Sequence, residues 1–474
     1  MAKGLKNNFI YNSILTASNY LFPLLIYPYI SRVLGLSNIG IVNFVDNLIN
    51  YFVFLSMMGI TTVGVREIAA ARATPERLNK TFMSLFMLTA ITTFIAMVVL
   101  GVAMYTVPIL TQYRDLLYVG QIKLLFNLFM IEWLFTGMEN FKYITNRSLI
   151  IRCLYVVCVF LFVRDASDYK LYYEILVAMV VINATVNFFY SRKFIRYSFK
   201  GINLRPYYRA FLIMGAYMVL ANVYVSLNPV WLGFVTDTDQ VGYFTTATKL
   251  HALIMAVLLS FTNIVFPRVS NLLAEGKEEE YWEKISTAFD AICLFIFPTM
   301  VYMLVAGPEL LHFVVGDGFE GSYTPLRIIT PLILVIGIEQ ILVIQILMAK
   351  HQDKTVLLNS FLGAVVAMLF NVLLTAQLGA DGSAIVWVLA ESSIMLLSIL
   401  AIYKKFHYLL PYKRILTYCF SYAPLLLILV ILYNIIENDY AIICLLGVIT
   451  VIYSVINEAF VVKNKVLLQL VKKN

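Results

Sequence analysis

Four basic residues of this sequence lie within or at the ends of long apolar segments. Lys123 and Lys249 stand about eight residues inside such segments, whereas Arg32 ends one and Arg327 opens another. A charge inside a bilayer is costly unless water, a counter-charge or a ligand compensates it. Because Lys and Arg donate charge-assisted hydrogen bonds to phosphate oxygens, the set indicates an anion-binding cavity in a membrane. Snorkelling to the membrane surface is the alternative, and the depth of the two lysines disfavours it.

Acidic residues stand inside the same kind of segment. They are Asp46, Glu132, Glu339 and Glu391. Buried carboxylates either pair with nearby cations or carry a proton or Na⁺ that couples transport to a gradient. We expect Asp46 and Glu132 to pair with nearby cations. For Glu339, coupling of transport to a gradient is the alternative to such pairing.

Motifs for enzymatic or metal chemistry are missing from the sequence. The five cysteines and four histidines form no C-x-x-C or H-E-x-x-H pattern. The stretch GDGFEG lacks the Lys-Ser/Thr pair of a phosphate-binding loop, and turn formation explains its glycines. We therefore predict no catalytic residue, no metal site and no cofactor. The basic residues are scattered in short clusters between apolar runs, so they do not indicate nucleic-acid binding.

Membrane-spanning helices must position these side chains. The 474-residue chain is 61% hydrophobic and 13% charged, which excludes a water-soluble domain. A spanning helix needs about 20 mostly apolar residues, and such runs predict an all-α polytopic membrane protein with about fourteen transmembrane helices. They lie near 9–31, 40–64, 81–104, 116–137, 149–163, 171–190, 210–234, 241–265, 286–306, 325–348, 355–376, 381–402, 416–433 and 440–461.

The distribution of Lys and Arg orients these helices, because cytoplasmic segments of membrane proteins are enriched in both. With both termini in the cytoplasm, all but seven of the 35 Lys and Arg residues fall in inside segments. The seven are Arg32, Arg114, Lys123, Arg164, Lys170, Lys249 and Arg327. The prediction is a multi-pass protein with both termini inside.

An internal repeat relates the two halves of the chain. LSNIGIVNF is echoed by TDQVGYFTT, which pairs Gly40 with Gly242, and the same offset pairs Arg66 with Arg268. Two parallel six-helix halves related by an axis normal to the membrane explain this register.

Prolines bend helices at corresponding places in the two halves, as is typical of a transporter's central pathway. They are Pro28 and Pro229. The predicted division is an N-terminal lobe (1–190), a basic cytoplasmic connector (191–209), a C-terminal lobe (210–403) and two extra helices with a basic tail (404–474).

Five segments carry a resemblance to a known family. They are PYISRVLGLSNIGIVNF, MGITTVGVREIAAAR, VGYFTTATKL, FPRVS and GSYTPLRIITPLILVIGI. In this order they resemble the polysaccharide-biosynthesis (O-antigen, Wzx-type) flippases of the multidrug/oligosaccharidyl-lipid/polysaccharide exporter superfamily. The resemblance runs from the first predicted helix through the twelfth.

The resemblance implies two pseudo-symmetric six-helix lobes around a central cavity, plus two C-terminal helices. It further implies translocation of undecaprenyl-diphosphate-linked oligosaccharide from the cytoplasmic to the outer leaflet of the bacterial inner membrane, by alternating access. The family's cavity is cationic, and the matching places here are Arg32, Arg66, Lys249 and Arg268. Lys123 and Arg327 are added to these cavity residues only because of their positions in the predicted helices. We expect Lys249 to contact the cargo's diphosphate together with Arg32 and either Arg66 or Arg268.

Three other classes of protein compete with a flippase, and one of them, a scaffold within the assembly machinery, leaves the charges inside the apolar segments unexplained. A multidrug exporter of the same superfamily would carry cationic cargo, which basic cavity residues disfavour. A membrane glycosyltransferase or polymerase usually needs a large outside loop with paired acids, and the longest one predicted, 307–324, has no such motif. Membrane lipids and the polysaccharide polymerase machinery are the remaining expected partners.

Overall fold

The structure is a computed structural model that describes residues 2–199, 201–409 and 411–464. These residues form helices and no strand, so the all-α prediction is confirmed. The α-helices are α1 (Ala2–Met57), α2 (Ile60–Ala71), α3 (Pro75–Thr106), α4 (Pro108–Thr111), α5 (Arg114–Asn127), α6 (Glu132–Gly137), α7 (Phe141–Phe162), α8 (Tyr169–Ser191), α9 (Tyr208–Val235), α10 (Thr238–Ala274), α11 (Glu278–Val315), α12 (Tyr323–Ile329), α13 (Leu332–Glu339), α14 (Asp353–Phe370), α15 (Ala376–Phe406), α16 (Tyr412–Tyr433) and α17 (Asp439–Ile456). Short 3₁₀ turns cover Ala166–Asp168 and Glu320–Ser322, and π-helical segments cover Gln340–Met348, Asn371–Thr375 and Asn457–Val461.

The chain is a multi-pass membrane protein. Within its described residues, eleven helical segments are long and apolar enough to cross a bilayer. Two of them, Ile14–Ala71 with 58 residues and Asp353–Phe406 with 54, exceed what a single crossing needs. Gly35 (φ 74°) and Gly379 (φ 56°) break the helical backbone inside these two segments. Glycine adopts such a positive φ without steric cost. The predicted count of about fourteen spans stays a prediction.

The structure divides into two compact units, Met1–Val241 and Gly242–Asn474. In the first unit, α1 packs against α3, α5, α7 and α9. In the second unit, α11 packs against α16 and α17, and α15 packs against α12, α13 and α14. The predicted division into two lobes with a connector at 191–209 stays a prediction. The predicted C-terminal lobe begins at residue 210, whereas α9 lies in the first compact unit.

Three predicted spans are interrupted in the structure. Non-helical residues divide the run predicted over 40–64 between α1 and α2, the run over 116–137 between α5 and α6, and the run over 325–348 between α12 and α13. Packing explains the first interruption. A Cβ on Gly59 would lie 2.7 Å from the Phe211 carbonyl oxygen, so the chain here approaches the backbone of α9 directly. Hydropathy shows no sign of such a tertiary contact.

Close packing of α1 on α9 depends on Gly233. A Cβ added there would lie 2.2 Å from Cδ2 of the buried Phe44. We expect Gly233→Ala to lower the free energy of unfolding by about 1–3 kcal/mol, the usual cost of overpacking. Thermal unfolding in detergent measures the change. Gly447→Ala is the matched control, because the nearest atom to its Cβ is Tyr302 Cε2 at 3.8 Å. Equal effects of the two substitutions would contradict the packing argument.

Candidate functional site

Lys123 lies in a hydrogen-bonded cluster inside the first unit. Its Nζ is 2.6 Å from Asp46 Oδ1 and 2.8 Å from Asn50 Oδ1. Asn50 Nδ2 in turn donates to Asp46 Oδ2 at 3.0 Å. Lys123 is only 9% exposed. The ion pair satisfies the ammonium, so Lys123 has a structural role in this arrangement, and its predicted contact with cargo stays a prediction.

Helical spacing and a glycine build this cluster. Asp46 and Asn50 are four residues apart in α1, so both point to the same face of the helix. Gly120 precedes Lys123 in α5 by nearly one turn, and a Cβ there would lie 2.5 Å from Ile49 Cδ1. This close approach brings α5 near enough to α1 for the lysine to reach both acceptors.

A second ion pair in the first unit joins Arg147 of α7 to Glu132 of α6. Arg147 is buried, donates to Asn187 Oδ1 as well, and lies with its guanidinium 5.4 Å from the Tyr143 ring centroid. A buried arginine needs such partners because an isolated charge there is very costly. Glu132 therefore contacts a cation, as Asp46 does.

Arg32 and Arg66 lie at the surface of the first unit. Arg32 is exposed and precedes the break of α1 at Gly35 by three residues. Arg66 of α2 is exposed and forms an ion pair with its neighbour Glu67 at 2.9 Å. The break at Gly35 and the non-helical residues between α1 and α2 lie between these two arginines.

In the second unit, α10 carries Lys249 and Arg268. Lys249 is half-buried and Arg268 is exposed. Both lie on one helix, Thr238–Ala274. The 19 positions between them correspond to about 28 Å along the axis at 1.5 Å per residue. The expectation that one diphosphate contacts Lys249 together with Arg32 and either Arg66 or Arg268 stays a prediction.

Glu339 ends α13 and Glu391 lies in α15, two helices that pack against each other in the second unit. Trp387 Nε1 donates to Glu391 Oε1 at 3.1 Å. The ring of His251 from α10 lies with its centroid 5.2 Å from that of Trp387. The structure thus places the two predicted acidic residues of this unit on neighbouring helices, whereas Arg327 is exposed on α12.

Comparison with known proteins identifies the family of this chain. The sequence profile of the family described as "Polysaccharide biosynthesis protein" matches residues 5–273, more than half of the chain. The chain belongs to this family.

Individual relatives of this chain are transporters by name. A protein of Escherichia coli (strain K12) that is assigned as an O-antigen transporter is 24% identical over 74% of this chain and 85% of its own length. A second, from Shigella dysenteriae and with the same assignment, is 24% identical over 84% of this chain and 100% of its own length. Both are named as transporters rather than as enzymes.

Solved structures show the same fold. Lipid II flippase MurJ in an inward closed conformation matches 95% of this chain and 99% of its own, with a TM-score of 0.80 and 14% identity. An inward-facing multidrug resistance transporter of the MATE family, from the MOP superfamily, matches 80% of this chain and 93% of its own, with a TM-score of 0.59 and 14% identity. This chain therefore has a MurJ- and MATE-like transporter fold, which confirms the resemblance found in the sequence.

Sequence reasoning missed three members of these clusters. Asn50 follows Asp46 by four residues and Trp387 precedes Glu391 by four, so helical spacing could have indicated both. His251 is a lone histidine in an apolar run and gave no such signal. Its contact with Trp387 joins residues 136 positions apart in the chain, which only the tertiary structure of the polysaccharide biosynthesis protein reveals.

Proposed function

We propose that this protein is a flippase that translocates undecaprenyl-diphosphate-linked oligosaccharide from the cytoplasmic to the outer leaflet by alternating access. The observation that carries the proposal is the set of basic residues on the membrane helices of a polysaccharide biosynthesis family member with a transporter fold. The cargo's diphosphate must cross a hydrocarbon layer about 30 Å thick. Lys and Arg side chains compensate its charge with charge-assisted hydrogen bonds, and the lipid tail remains in the bilayer.

The basic residues lie at two levels of the membrane in this proposal. Arg66 and Arg268 are near the cytoplasmic ends of their helices, and Arg32, Lys249 and Arg327 are nearer the outer ends. Because about 28 Å of helix separates Lys249 from Arg268, one diphosphate contacts one level at a time. The cytoplasmic arginines take up the cargo, and the outer cations receive it after the change of access. Arg suits tight bidentate capture, whereas Lys is a more releasable point charge.

The membrane orientation is part of the proposal. The excess of Lys and Arg in alternate segments supports an inner-membrane protein with both termini in the cytoplasm. The polymerase machinery that uses the flipped oligosaccharide is the expected partner. Labelling of Phe199→Cys, in a chain without its five natural cysteines, tests the orientation, and a thiol that reacts only from outside the cell would contradict it.

Energy coupling completes the proposal. A gradient of H⁺ or Na⁺ drives the change of access, with buried carboxylates as the carriers of the ion. A multidrug exporter is the poorer alternative, because cationic cargo would be repelled by the same Lys and Arg residues.

Reconstitution of the purified chain into vesicles tests the flippase proposal. Fluorescently labelled undecaprenyl-diphosphate oligosaccharide is placed in both leaflets, and a membrane-impermeant quencher reports the label that becomes accessible. We expect accessibility to rise beyond the half found in protein-free vesicles, and an undecaprenyl lipid without the diphosphate to move no faster than without protein. Movement of a lipophilic cation but not of the diphosphate lipid would instead identify a multidrug exporter.

A further inference from the structure

We infer that a cavity at the start of α3 binds the phosphate group of an anionic phospholipid, whose acyl chains lie along the lipid-facing side of the same helix. The cavity has a volume of about 460 Å³, within the range of about 300–1,000 Å³ that is usual for ligand pockets. This α3 cavity lies within the first compact unit. It is lined by Arg77, Lys80 and Thr81 of α3 and by Gly201, Asn203 and Tyr207 of the segment that follows α8.

The segment between α8 and α9 closes the α3 cavity against the helix. The amide of Asn203 donates to Ser84 Oγ at 3.0 Å. Gly201 has a φ of 79°, and a Cβ there would lie only 3.2 Å from Lys80 Cε. Glycine adopts this φ without steric cost. A glycine therefore lets the segment pass beside the lysine, so that the cavity lies between the two.

Two cations of the α3 cavity are available to a ligand. Arg77 and Lys80 are both exposed, and neither forms an ion pair with another residue that the structure describes. Arg72, just before α3, is instead paired with Glu139 at 2.8 Å. Glu76 is the acidic residue of the lining. With two cations and one carboxylate the lining has a net charge of +1, which the single negative charge of a phosphodiester neutralises.

Neutral donors add to the two cations. The hydroxyl groups of Thr81 and Tyr207 form a hydrogen bond of 3.1 Å with each other. This bond uses one of their two O–H groups, so the other can donate to an acceptor. Thr74 precedes α3, and its side chain makes no capping hydrogen bond to the first amides of the helix. A phosphate fits such a set of donors, because its oxygens accept several hydrogen bonds at once and those from cations are the strongest.

The length of α3 indicates a lipid rather than a free phosphate. The helix has 32 residues, about 48 Å at 1.5 Å per residue, whereas the hydrocarbon layer is about 30 Å thick. Its first turns, with Arg77 and Lys80, therefore lie among the head groups. Residues seven apart lie on nearly the same face of a helix, and from Arg77 this face passes Ser84 to the exposed Ile91 and Val98. Acyl chains along these two side chains place their phosphate at the α3 cavity.

An exposed aromatic ring beside the α3 cavity supports this position in the membrane. Phe199 lies two residues before Gly201 and is 76% exposed. An apolar ring is more stable against acyl chains than in water. Basic pockets at the membrane surface next to spanning helices are typical binding sites for anionic head groups. Binding of a phospholipid here is independent of the proposed transport function.

Native mass spectrometry of the full-length chain in detergent, titrated with phosphatidylglycerol, tests the site. We expect one lipid to bind the wild-type chain tightly, and Arg77→Gln/Lys80→Gln to bind it about tenfold or more weakly, since charge-assisted hydrogen bonds are lost. Lys142→Gln/Lys284→Gln is the matched control, because it removes two exposed lysines on α7 and α11 and changes the net charge equally. It should bind like the wild type. Equal affinities of the two double variants would overturn the inference.

Competition on the wild-type chain identifies the ligand without any variant. We expect inorganic phosphate not to displace phosphatidylglycerol at equal concentration, and zwitterionic phosphatidylethanolamine to bind more weakly. Displacement by inorganic phosphate would show that the acyl chains make no contribution. Displacement by the undecaprenyl-diphosphate oligosaccharide at equal concentration would assign the cavity to the cargo, and equal binding of phosphatidylethanolamine would remove the preference for an anionic lipid. Each of these three results would overturn the inference.

Thermal unfolding gives a second readout. A ligand that binds only the folded state stabilises it, so phosphatidylglycerol should raise the melting temperature of the wild-type chain and of Lys142→Gln/Lys284→Gln. It should not raise that of Arg77→Gln/Lys80→Gln, whose melting temperature without lipid shows that it is folded. The same increase in all three proteins would contradict a site at the α3 cavity. Because no cargo is needed, a failure here leaves the flippase proposal to its own vesicle experiment.

Discussion

Lys249→Gln should reduce translocation of the diphosphate-linked oligosaccharide by about tenfold or more, while the protein remains folded. A hydrogen bond between charged groups contributes about 1.5–3 kcal/mol, and its loss at the cargo-binding step accounts for that factor. Gln keeps most of the side-chain volume and removes a half-buried charge whose desolvation opposes folding. Translocation into vesicles and the melting temperature in detergent are the two measurements.

Two further variants separate charge from geometry at this position. Lys249→Arg should retain partial activity, because the charge stays but the planar guanidinium binds phosphate differently. Lys170→Gln is the matched control, since Lys170 is exposed and paired with Asp115 at 2.7 Å. It should translocate cargo at the wild-type rate. Normal translocation by Lys249→Gln would show that Lys249 does not bind cargo and that its side chain snorkels to the membrane surface.

Asp46→Asn is expected to destabilise the protein strongly. The substitution leaves the Lys123 ammonium, now 2.6 Å from Asp46 Oδ1, without its counter-charge at a site that is 9% exposed. Breaking a buried ion pair by removing one partner costs about 3–5 kcal/mol. The change should appear as a lower melting temperature of the purified protein in detergent.

A double variant tests whether the unpaired charge causes this loss. Asp46→Asn combined with Lys123→Gln removes both charges, so it should be more stable than Asp46→Asn alone. Asp115→Asn, which breaks the exposed pair with Lys170, should hardly change the melting temperature. If Asp46→Asn were as stable as Asp115→Asn, the cluster around Lys123 would not hold α1 and α5 together.

Hydropathy and charge predicted the helical class and the membrane segments because both are local properties of the chain. The interruption at Gly59 was not predictable, since it depends on contact with the backbone of α9. The candidate site was predictable only by residue type. Depth singled out Lys123, yet its partner Asp46 is 77 positions away in the chain. Likewise Glu339 and Glu391 were each noticed as acids in apolar runs, but the packing of their helices α13 and α15 depends on the tertiary structure.

The π-helix Gln340–Met348, which directly follows Glu339, gives its segment a way to rotate. A π turn holds one residue more than an α turn. When such a turn advances by one residue along a helix, a few backbone hydrogen bonds exchange partners and the length passed over rotates by about 100° about its axis. The helix thereby rotates about its own axis without tilting. A side chain at the end of this helix can turn from one neighbour to another while the rest of the segment keeps its position in the membrane.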